Sequence, residues 1–318
     1  MKRPFKISIL IFQFSFLLLV ACSGEEGGTV RAIYHWKTTY NPTQYELQWL
    51  RDHHVTRLYL RLFDVDVYDC DERAAPIATT RFLQPLPDSM EIVPVVYITN
   101  EALDAMGYWW RCETFGIKII DRVLKMAECK GFEVKEIQVD CDWTKGTKDI
   151  YFNFCHYLQE ELRERGIRLS STVRLHQVDA TLDSLEVDDK VLMLYNTGNL
   201  RSLQTRNSIL DYDDVEPYLS RLTEERMKTL GVAWPVFGWG VEFDSTGHFS
   251  HLINSSMLPS PLGEGSGVRL EWGEISEMRR VWEKMPKSDG DHITVLYHLD
   301  SVNLSKYTYD EIEEIYSR

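Results

Sequence analysis

Asp140 and Asp142 stand one residue apart at the end of the run Ile137-Gln138-Val139-Asp140-Cys141-Asp142-Trp143. Side chains along a strand alternate between faces, so Gln138, Asp140 and Asp142 share one face and Ile137, Val139 and Cys141 the other. The apolar set belongs against helices, and the polar set belongs in a mouth reached by solvent. Carboxylates at this spacing lie roughly 6–7 Å apart along a strand, and neighbouring acids push their pKa values apart. One acid staying protonated beside an ionised partner is the arrangement glycoside hydrolysis uses.

Other runs end in polar groups that would converge on the same place. Ser170, Thr172, Arg174 and His176 alternate onto one face, and Tyr59 and Arg61 precede Asp64 and Asp66. Tyr195-Asn196, then Trp239 and Glu242, then Tyr297-His298-Leu299-Asp300 close three more runs. Arg61 and Arg174 suit holding the carboxylates ionised or binding an acidic sugar. Glu242 is the other candidate catalytic carboxylate. The flat faces of Trp36, Trp143 and Trp239 suit pyranose rings, and His176 and Tyr195 complete the candidate binding set.

A plainer reading competes at each position. Asp140, Arg174 and Arg61 would also make a buried structural ion network, which perturbs pKa values just as a site does. A single Trp belongs in a core more often than on a platform, and His53-His54 reads as a solvated helix end. Asp140, Asp142 and His176 would serve a metal-dependent hydrolase, but the first strand carries only His35 where barrel metal enzymes carry H-x-H. No metal or cofactor is expected.

Positioning these groups requires eight strands, each with its run rich in β-branched or aromatic residues. They read 30–36, 56–63, 92–98, 134–140, 168–176, 191–195, 232–237 and 292–297. Helical periodicity follows over 43–53, 116–130, 147–165, 215–230, 274–283 and 308–316. Asp71 to Asp88 reads as loop, Asp179 to Asp188 holds two turns at most, and Asp244 to Gly267 is a long Gly/Ser/Pro-rich loop. Eight strand–helix units predict a single (β/α)8 TIM barrel over residues 29–318, with its site at the C-terminal ends of the strands. An open doubly wound sheet is the alternative, weakened by the absence of a Gly-rich phosphate loop after the first strand.

Ahead of the barrel, Lys2, Arg3 and Lys6 precede a mostly apolar stretch from Ile7 to Val20, too short to span a membrane comfortably and of signal-peptide form. Residues 1–22 end in Leu19-Val20-Ala21-Cys22, which resembles the bacterial lipobox and implies lipidation of Cys22. Residues 23–28 form a flexible tether. Its Ser23 resembles an outer-membrane sorting signal, and its acidic pair resembles surface-export tethers. The chain of 318 residues has a formal charge of −14, and removing a leader with three cations and no acids makes the remainder more acidic. Nucleic acid is excluded as a partner, because phosphate binding needs clustered Lys and Arg. Beyond Cys22 an odd number of cysteines remains (Cys70, Cys112, Cys129, Cys141, Cys155), of which Cys70 and Cys112 could pair.

The Asp-x-Asp at the end of the fourth strand resembles part of the chitinase-like family-18 glycoside hydrolase signature, D-G-x-D-x-D-x-E. With its last two Asp on Asp140 and Asp142, Ile137 stands at the first Asp and Thr144 at the Glu, the family's proton donor. The chain also resembles glycosidase-like barrel lipoproteins of polysaccharide-using bacteria. These resemblances imply a barrel that acts on poly- or oligosaccharide in the cell envelope, anchored to the membrane by its N-terminal lipid. They leave two functions open, a glycoside hydrolase or a non-catalytic glycan-binding lipoprotein.

Overall fold

The computed structural model describes residues 29–68, 73–107, 109–254, 267–287 and 292–318. The leader, Cys22, the tether and Cys70 lie outside the described residues. Eight parallel strands form the barrel: β1 (Val30–His35), β2 (Arg57–Tyr68), β3 (Glu91–Ile98), β4 (Glu136–Asp140), β5 (Arg168–Arg174), β6 (Asp189–Met193), β7 (Leu230–Pro235) and β8 (Ile293–Tyr297). Each pairs with the next, and β1 pairs with both β2 and β8, which closes the ring. The expected single-domain (β/α)8 barrel is the observed fold.

Around it lie α1 (Gln44–Asp52), α2 (Asn100–Met106), α3 (Trp109–Lys130), α4 (Lys148–Glu164), α5 (Tyr212–Leu219), α6 (Ile275–Trp282) and α7 (Tyr309–Tyr316). Local chemistry sets their ends. The Thr43 hydroxyl accepts from the Glu46 N–H, and the Glu46 carboxylate accepts from the Thr43 N–H at 2.7 Å, a capping box. Thr308 and Glu311 repeat it on α7. α4 buries Phe154, Cys155, Leu158 and Leu162, and truncating Leu158 to Ala should cost about 2–5 kcal/mol. This helix packs on β5, where the Tyr151 hydroxyl lies 2.7 Å from that of Ser171.

Three connections differ from the sequence reading. The segment read as one helix over 215–230 is α5 and a separate turn Glu224–Met227, started by the Thr223 hydroxyl accepting from the Arg226 N–H. After β2 the chain folds back as strand Arg73–Ile77, antiparallel to the overhanging end of β2. The connection between β7 and β8 also contains strands. Gly238–Phe243 lies between Phe249–Asn254 and Val268–Trp272 in an antiparallel sheet, and residues 255–266 are outside the described set. His53 is a further correction. It is buried, its Nδ1 lies 2.8 Å from a Glu313 carboxylate oxygen, and its ring stacks on Tyr309. The closing helix covers it, a contact from the far end of the chain.

Inside the barrel the lower layers are polar and fully bonded. Arg57 donates to Glu91, Glu136 and the Tyr59 hydroxyl, and Glu136 also accepts from Ser170 at 2.5 Å. Above them the Tyr34 hydroxyl donates to Gln138, whose amide donates to Ser170.

Candidate active site

The inward row of β4 reads Glu136, Gln138, Asp140, and continues to Asp142 just past the strand end. Register places Tyr97 of β3 beside Asp140 and Met193 of β6 beside Arg174. The result is a cavity of about 270 Å³ at the C-terminal mouth, bounded by Trp36, Arg61, Asp64, Tyr97, Asp140, Asp142, Arg174, Met193, Tyr195, Asn196 and Tyr297. Asp140 forms its floor, 3% exposed. The Asp142 side chain stands at the rim, 42% exposed.

Arginines hold the carboxylates apart. Arg174 donates through Nε to one Asp142 oxygen at 2.6 Å and through Nη2 to the other at 3.2 Å. Arg61 grips Asp64 in the same two-pronged way. Asp140 accepts from the Thr172 hydroxyl instead. Burial, and next the charge of Asp142, push the Asp140 carboxyl up to about 6, against the pull of Arg174 and Thr172. Burial and the same two carboxylates push the Tyr97 phenol up to about 12. Near pH 6 the floor acid thus carries a proton beside a carboxylate pinned by a guanidinium.

The walls are aromatic. Tyr195 stacks on Tyr297 with ring centres 4.7 Å apart, and Trp36 lies 5.9 Å from Tyr297. Arg174 sits 5.4 Å over the Tyr195 ring and Arg61 5.9 Å over that of Trp36. Two buried donors on these walls have no acceptor, Arg174 Nη1 and the Tyr195 hydroxyl.

The candidate residues therefore divide. Asp140, Asp142, Trp36, Arg61, Arg174 and Tyr195 meet around one cavity. His176 lies beyond the end of β5, in the turn Leu175–Gln177, exposed and lining a neighbouring cavity that shares Asp142 and Arg174. Trp143 is buried on the helix side with its ring edge-on to Phe152. Trp239 donates its indole N–H to Glu271 in the antiparallel sheet, and Glu242, in the same sheet, pairs with His251 at 2.9 Å. Neither lines the cavity. Tyr97 and Asn196 do, residues the sequence reading missed; strand alternation from Val95, which lies beside Gln138, would have found Tyr97.

Thr144 lies off the inward row. It is exposed, and its hydroxyl accepts from the Gly146 N–H in the turn leading to α4. Among the described residues no group of three or more His, Cys, Asp or Glu side chains is arranged to hold a metal ion. No helix there is long and apolar enough to cross a membrane.

Solved structures show the same architecture. The chain superimposes on the spore cortex-lytic enzyme SleL of Bacillus cereus with a TM-score of 0.57 at 14% identity, over 92% of this chain and 75% of that one. For the Group IV chitinase of Ostrinia furnacalis the TM-score is 0.58 at 10% identity, over 91% and 100%. For a chitinase of Chromobacterium violaceum it is 0.57 at 12% identity, over 92% and 100%. The likeness is one of fold. No protein-family model and no curated protein sequence matches the chain.

Proposed function

We propose that the mouth of this barrel hydrolyses a glycosidic bond, with Asp140 and Asp142 as its acid and base pair. The observation that carries this reading is the Asp140–Asp142 pair itself. One acid is raised to about 6, the other is held by Arg174, and both face an aromatic-walled cavity at the C-terminal ends of the strands, where barrel active sites lie. Asp142 meets the substrate, because it alone of the two reaches the open rim. The bridging oxygen takes a proton as its bond to the anomeric carbon breaks. Water supplies hydroxide to that carbon, and its remaining proton returns to the carboxylate pair. Trp36, Tyr97, Tyr195 and Tyr297 hold the ring, and Arg61 and Asp64 pair in the cavity wall.

The likeness to chitinases and a spore cortex-lytic enzyme directs the first substrates to chitin and spore cortex. Reducing ends released from these and a wider polysaccharide panel, with Asp142→Asn measured beside the unchanged chain, test the proposal. Release that vanishes in the variant supports it, and release that persists removes Asp142 from the chemistry.

A second reading has an observation of its own. Arg174 engages both oxygens of Asp142, and a threonine stands where the family signature places its proton donor. A glycan-binding protein without turnover fits both facts, and saturable binding with no release identifies it. In either case we place the protein in the cell envelope, held by a lipid on Cys22: labelled palmitate should be incorporated by the chain and lost in Cys22→Ser.

A further inference from the structure

β2 ends differently on its two faces. Asp64 lines the mouth, so Phe63 and Val65 on either side of it turn outward, toward the layer where a crossover helix ordinarily packs. Among the described residues this crossover supplies no helix. The chain returns instead as the strand Arg73–Ile77, antiparallel to β2. α2 and α3 belong to the next crossover, and between them, the returning strand and β2 lies a cavity of about 650 Å³. That falls within the roughly 300–1,000 Å³ of small-molecule sites.

The lining is apolar with a cationic edge. Buried Phe63, Val65, Met106 and Ile119 close the floor. The surface left open belongs to half-buried Ala74, Ala105 and Phe115 and to exposed Pro76. Along α3, Thr114, Lys118 and Arg122 recur every fourth residue and so share one helix face, which brings two cations to one side of the groove. Arg122 is fixed in place, its guanidinium 5.0 Å over the Phe63 ring and its Nη2 donating to the Thr79 hydroxyl at 2.9 Å. Arg73 stands on the strand side. The described lining contains no Asp or Glu, although the whole chain has a formal charge of −14.

An apolar trough edged by cations selects its ligand on two counts. A sugar would leave the apolar surface unmatched, and a neutral hydrocarbon would leave the cations unmatched. An alkyl chain ending in a carboxylate answers both. Its methylenes leave water against Pro76, Ala105 and Phe115, and its head accepts charge-assisted hydrogen bonds from the Lys118 ammonium and the arginines. We propose that this groove on the outer wall of the barrel binds a long-chain fatty acid. The site is separate from the mouth and does not depend on the carbohydrate reading.

Photo-crosslinking of the full chain with a diazirine-bearing dodecanoate, mapped by peptide mass spectrometry, tests it. Label should fall in the strand Arg73–Ile77, α2 and α3. Excess dodecanoate should remove it, and dodecyltrimethylammonium, with the same chain and the opposite charge, should not. Lys118→Glu should weaken the competition by dodecanoate about tenfold. Thr114→Trp places an indole in the groove and should abolish the label in these elements. Label confined to other parts of the chain overturns the inference, and so does equal competition by the two amphiphiles. Both substitutions are at exposed positions of α3, and should either protein fail to fold, the competition series on the unchanged chain decides alone.

Discussion

The two ends of the barrel interior use the same chemistry to different ends. At the floor, Arg57 and Glu136 are joined by Glu91, Ser170 and Tyr59, each bonded within the network. At the mouth, Arg174 and Asp142 also pair, but one edge of the guanidinium and the Tyr195 hydroxyl are left without acceptors, and a cavity opens beside them. Both ends raise the pKa of an inward acid on β4, Glu136 and Asp140, by burial first. A perturbed carboxyl therefore does not distinguish a site from a strut. What differs at the mouth is the cavity, with two buried donors beside it that lack acceptors.

That contrast breaks first at Asp142. Asp142→Asn should lower turnover by about 10²–10⁴-fold, the range of general acid–base catalysis, with circular dichroism unchanged. A loss of fold in its place would make the mouth a strut like the floor. At the floor the expectation reverses. Arg57→Met strands Glu136 and should cost about 3–5 kcal/mol of stability in denaturant titration, while the folded protein keeps its activity.

Asp140 sharpens the comparison through pH. The folded chain holds this proton up to about 6 against an ordinary value of 3.8, so between those values the native state binds more protons than the unfolded one. Stability from this group is therefore full below about 4 and is lost as pH rises through 6. Asp140→Asn should remove that loss and stabilise the protein at pH 7.5 by at most about 3 kcal/mol, with no gain at pH 3.5. Melting temperatures across the range read this directly, and a variant destabilised at every pH would make the carboxylate structural. The smallest effect belongs to Glu242. It pairs with His251 in the antiparallel sheet, so Glu242→Gln should change turnover less than twofold.

The barrel was legible because its strands are short apolar runs whose alternation marks which side chains turn inward. The row Gln138, Asp140, Asp142 followed from that rule, and Tyr97 is a residue the same rule would have added. Other positions depended on contacts distant in sequence. His53 is buried by a helix some 260 residues away. Trp143 lies on the outward side by the same alternation that turns Asp142 inward, so its place was readable from its neighbours. Trp239 and Glu242 were not, because the strands that pair with theirs lie in a stretch whose Gly, Ser and Pro content reads as loop. The pairing of Arg174 with Asp142 needed the register of two neighbouring strands to be known, and that of Arg61 with Asp64 the irregularity in β2 between them.

The account is tested most directly by a crystal structure of the Asp142→Asn protein soaked with the β-1,4-linked trimer of N-acetylglucosamine. It predicts sugar density in the mouth beside Asp142 and Arg174, with ring faces on Trp36 or Tyr297. Density seated elsewhere, with the mouth empty, would contradict it.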